Sequence, residues 1–104
     1  GVVRGRIRMA LNGHVMLTLL LDENDEPLGE PWAETMGLPA EGRSRAPLVE
    51  LIEAEAAQSL ARAEDSLLID DDKLDEALRR VVRQVCTEEI GRKPEVTVVV
   101  SRLS

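Results

Sequence analysis

The run Glu95-Val96-Thr97-Val98-Val99-Val100, entered through Gly91-Arg92-Lys93-Pro94, constrains the fold more than any other stretch of the chain. Val96, Val98 and Val100 alternate with Glu95, Thr97 and Val99, so one side of a period-2 strand is wholly apolar and the other is mixed. A strand of this kind is not stable by itself. It needs strand neighbours and helices over its valine face, and the remaining residues must supply both.

They do so in an order that can be read along the chain. Asn12-Gly13 is a tight-turn signal, since both residues tolerate positive φ. It leads into His14 to Leu21, where Val15, Leu17, Leu19 and Leu21 form one face and His14, Met16, Thr18 and Leu20 the other. A strand this apolar on both sides belongs in the middle of a sheet. After the polar connection Asp22-Glu23-Asn24-Asp25-Glu26-Pro27, residues Leu28 to Leu38 read as a second strand interrupted by Gly29, Pro31 and Gly37, and the prolines mark it as an edge. From Pro47, Leu48, Leu51, Ile52, Ala56, Leu60 and Ala63 recur at helical spacing, with proline suited to the first turn. Glu64 to Ile69 reads as a loop that buries part of Leu67-Leu68-Ile69. Asp70-Asp71-Asp72 then caps a second helix through Leu74, Ala77, Leu78, Val81, Val82 and Val85, which Gly91 ends and Pro94 prevents from resuming.

The reading is a small α+β domain of ββααβ order, a three-stranded mixed sheet with two antiparallel helices on one face. The expected strand order is second, first, third, with the last strand parallel to the first. Residues 13–104 make up this domain, and residues 1–12, with Arg4, Arg6 and Arg8 alternating against Ile7, Met9 and Leu11, read as a linker or N-terminal extension. With 104 residues, no Phe or Tyr and a single Trp, the interior has to be aliphatic. Met16, Leu20 and Val99 fall on the sheet face away from the helices, beside His14, Thr18 and Thr97, and form a possible oligomer contact.

Several kinds of chemistry are disfavoured. His14 is the only histidine, so neither a zinc site nor a nucleophilic triad can be assembled from these residues, and no glycine-rich phosphate loop is present. The three consecutive aspartates lack the spaced ligands and glycine turn of a calcium loop. No catalytic and no metal-binding residue is expected here. Cys86 lies within a helical pattern, cannot form an internal disulfide and suits a reducing compartment. The absence of an initiator Met and of a leader or membrane-length apolar run leads us to expect a cytoplasmic piece of a longer polypeptide, with no membrane association. The formal net charge of −7 argues against a surface built to grip phosphates. Arg79, Arg80, Arg83, Arg92 and Lys93 nevertheless gather around the end of the second helix, and read either as a solvated helix face or as an RNA contact.

Leu11-Asn12-Gly13-His14-Val15 entering a strand that ends Leu21-Asp22, the returning Pro31 and Thr35-Met36-Gly37, the two helices, and Gly91-Arg92-Lys93-Pro94 before the valine strand together resemble the C-terminal domain of ribonuclease J. That family belongs to the metallo-β-lactamase/β-CASP nucleases. The likeness covers nearly the whole chain, but Thr35-Met36-Gly37-Leu38 stands where the family tends to have Ser-Arg-Gly-aromatic, so a role for that arginine does not carry over. The resemblance implies a bacterial, zinc-dependent parent ribonuclease with 5′-to-3′ exonucleolytic and endonucleolytic activity, acting in RNA processing and decay. Its His and Asp metal ligands would lie upstream, leaving no cofactor in this fragment. The implied role is non-catalytic: a structural and oligomerisation domain whose partners are the upstream catalytic domains and further copies of itself, and which meets RNA through the parent protein. An RNA-binding accessory module and an unrelated protein-interaction domain are the alternatives.

Overall fold

A computed structural model describes residues 13–103, so the reading of residues 1–12 lies outside the described residues. The elements in order are β1 (His14–Leu21), β2 (Trp32–Met36), α1 (Leu48–Arg62), α2 (Asp65–Leu68), α3 (Asp71–Ile90) and β3 (Glu95–Arg102). The strands form one sheet of order β2-β1-β3, with β1 antiparallel to β2 and parallel to β3. The expected fold class, central strand and strand order are all present.

Local chemistry sets the element ends. Gly13 turns into β1 at φ +80, a left-handed conformation that favours glycine. The Asp70 carboxylate accepts from the backbone N–H groups of Asp72 and Lys73, filling two of the free donors at the start of α3. Gly91 ends that helix in the left-handed conformation at φ 63, its N–H donating to the Thr87 carbonyl.

Two expectations need correction. The second strand is not Leu28 to Leu38 but the five residues Trp32–Met36. The return begins at Pro27 and Leu28, where the Leu28 N–H donates to the Leu20 carbonyl at 2.8 Å, but Gly29 at φ +70 turns the chain out and the ladder resumes only after Pro31. The segment read as a loop from Glu64 contains the one-turn helix α2, which buries Leu68 and leaves Ile69 exposed.

The core lies between the sheet and the long helices. Val15, Leu17, Leu19 and Leu21 meet Leu48, Ile52, Ala56 and Leu60 of α1 and Leu74, Leu78, Val82 and Val85 of α3 in one aliphatic cluster. Val96 joins it fully, while Val98 and Val100 are half-buried at its margin. No polar or charged residue is buried among the described residues, so hydrophobic burial, about 1.5–3 kcal/mol for each large aliphatic side chain, is the main stabilising term.

Polar fastenings hold the rim. Arg102 donates to Asp71 at 2.6 Å and to the Leu68 carbonyl at 2.7 Å, and also pairs with Asp25, tying the end of β3 to α2, α3 and the β1–β2 connection. The Asp71 hydrogen bond, above all, raises the pKa of this guanidinium further. At the opposite end, Glu89 accepts from both the backbone N–H and the hydroxyl of Ser44, at 2.9 and 2.6 Å. These contacts hold the Glu89 carboxyl below its ordinary value. No helix among the described residues is long and apolar enough to cross a membrane.

Candidate contact surface on the open face of the sheet

Strand register decides which side chains share the uncovered face. His14, Met16 and Thr18 stand opposite Met36, Glu34 and Trp32 on one side and Glu95, Thr97 and Val99 on the other, while Leu20 stands opposite Ser101. Paired residues point the same way, so these residues form one surface with the alternate residues directed into the core. Four large apolar residues on it are exposed: Met36 at 53%, Trp32 at 51%, Leu20 at 38% and Val99 at 37%. Met16 is half-buried between them. Polar residues are interleaved with them: His14, Thr18, Glu34, Glu95, Thr97 and Ser101 share the face. His14 Nε2 and the Thr97 hydroxyl lie 2.9 Å apart, and His14 Nδ1 is buried without a hydrogen-bond partner.

The three apolar residues proposed from sequence, Met16, Leu20 and Val99, therefore do lie on one face, and the structure adds Trp32 and Met36. Reading the second strand as eleven residues broken by glycine and proline concealed their alternation. Trp32, Glu34 and Met36, following Pro31, carried the missing signal.

The five cations do not form one free patch. Arg79 is half-buried, pairs with Asp75 and donates to the Val96 carbonyl, fastening α3 to β3. Arg80 pairs with Glu76 one turn away at 3.2 Å. Arg83 and Lys93 line an open groove of about 600 Å³ with Arg80, and Glu88 and Glu95 lie in the same lining. Arg92 is exposed at the turn before β3.

Among the described residues no group of three or more His, Cys, Asp or Glu side chains could hold a metal ion. Cys86 is fully buried among aliphatic side chains, and burial pushes its thiol up to about 11, so it is protonated near neutral pH.

The family model of the ribonuclease J C-terminal domain matches residues 1–103. A curated ribonuclease J from Sinorhizobium meliloti (strain Sm2011 / Rm2011 / 2011) is 32% identical over 101 residues, covering 94% of this chain and 17% of the relative. The chain thus spans about a sixth of the length of that relative.

Proposed function

Because the chain belongs to the ribonuclease J C-terminal domain family, we propose that it is a non-catalytic association module of a larger bacterial, cytoplasmic ribonuclease whose upstream part cleaves RNA, with the metallo-β-lactamase-type zinc chemistry of a hydrolase residing there. The open sheet face, carrying Trp32, Met36, Met16, Leu20 and Val99, is the contact surface. One observation carries this reading. A single tryptophan in a chain without Phe or Tyr is half exposed on a sheet face instead of filling the core. Contiguous apolar surface of this kind marks interaction sites, and aromatic and Met side chains are enriched at the buried centres of interfaces.

The test is the sedimenting mass of the chain against a Leu20→Asp, Trp32→Glu double variant. Both side chains are already partly in water, so the fold is expected to survive as judged by circular dichroism. The wild type should associate at high micromolar concentration and the variant should sediment as a smaller species. Equal masses for the two would contradict the reading.

RNA contact through Arg83, Arg92 and Lys93 is a second reading, favoured by their position around one end of α3. Two of the five cations are engaged by acidic partners and the groove contains two glutamates, so it ranks below the first. It predicts salt-dependent RNA affinity that Arg83→Glu with Lys93→Glu abolishes. No binding at low salt would remove it.

A further inference from the structure

The one histidine of the chain opens the central strand and is half-buried on the open face of the sheet. Its Nε2 lies 2.9 Å from the Thr97 hydroxyl, and its Nδ1 is enclosed without a hydrogen-bond partner. A neutral ring suits this arrangement. It can carry its proton on Nε2, donate to Thr97 Oγ and leave only a lone pair on Nδ1, whereas a charged ring puts an N–H on Nδ1 with nothing to accept it.

The charged groups that share the face with it are both acidic. Glu95 stands opposite His14 on β3, and Glu34, opposite Met16 on β2, is diagonal to it; among the described residues the face includes no Lys or Arg. On the far side of the sheet lies the aliphatic core. Neither carboxylate bonds Nδ1. While the face is in water, solvent compensates a charged ring. Covering the face removes that water, and attraction to a carboxylate offsets the loss only where hydrogen bonds complete the geometry. At Nδ1 none is made.

We propose that His14 makes contact through the open face sensitive to pH: the face is covered with this ring neutral, and protonation of the ring releases the associated domain. The inference rests on the open face being the contact surface. Covering disfavours the charged form, so association sheds the ring proton. Contact is therefore fully available above the histidine range and is lost as the pH falls through it. Other side chains keep their charge in that window. Carboxylates ordinarily titrate near about 4 and Lys and Arg above about 10, and the Cys86 thiol is pushed up to about 11. Because the chain has a single histidine, a change over this range has one side-chain source.

The test is sedimentation of the chain at about pH 7.5 and about pH 5.5, with circular dichroism to establish that the fold is the same at both. Association should be weaker by about three- to tenfold at the lower pH, the range for a histidine up to one unit below its usual midpoint. His14→Gln keeps a side-chain amide for Thr97 but does not titrate, so its association should be equal at the two values. Proton NMR of the one histidine ring supplies a second measurement that needs no variant. At about pH 6.5, dilution from associated to dissociated chain should move its signals toward the charged position. Wild-type association that is equal at both pH values, an equal loss in His14→Gln, or ring signals that do not respond to dilution would each overturn the proposal and leave the open-face reading in place. No association at about pH 7.5, or association that the Leu20→Asp, Trp32→Glu variant retains in full, would remove the open-face reading and this inference with it.

Discussion

At the residue scale Gly42 is held by a close backbone approach. A Cβ added there would lie 2.5 Å from the Glu89 carbonyl oxygen, and because that atom is backbone it cannot swing aside. Gly42→Ala is expected to destabilise the domain by about 1–3 kcal/mol, the usual range for overpacking, as read by urea denaturation. Stability within 0.5 kcal/mol of wild type, roughly the noise of a neutral surface change, would contradict the packing described. Cys86 gives a second residue-level expectation. A protonated thiol at 0% exposure should resist alkylation at pH 8 in the native state and react at once in denaturant. Neither the Gly42 contact nor the Arg102 hub was legible in the sequence. Both join residues far apart in the chain, and a glycine in a loop or an arginine at a strand end carries no local mark of its partner.

Element boundaries were the most readable feature, because their causes are local. Asp70 before a helical pattern and Gly91 after it fix α3, and Asp70→Ala should cost about 1 kcal/mol through loss of the cap, seen as a lower denaturation midpoint with an unchanged slope. The same stability as wild type would show that the cap contributes nothing. β2 was misread for an equally local reason. Gly29 and Pro31 do not interrupt a single strand; they end one short pairing and precede another. The loop pinned on α3 gives a pH prediction. The Glu89 carboxyl titrates below its ordinary 4.5 in the folded state, first because of the Ser44 hydroxyl. Its contribution is therefore fully present above about pH 4.5 and lost as the pH falls through the folded value. The stability difference between wild type and Ser44→Ala should be constant near neutrality and shrink in acid. A gap that widens on acidification would contradict this assignment.

At the scale of the whole molecule, the alternation of His14 to Leu21 and Glu95 to Val100 was enough to place helices on one side and leave the other open. The extent of the open face was not readable, because Trp32 and Met36 join it only through the β1–β2 register. On the proposed reading that face is covered when the domain sits within a longer ribonuclease J chain. Hydroxyl-radical footprinting of Trp32 and Met36, in this chain diluted to a monomer and in the full-length parent enzyme, measures this directly. Strong oxidation of both residues in the chain and clear protection in the parent is the predicted result; equal oxidation in the two would contradict it.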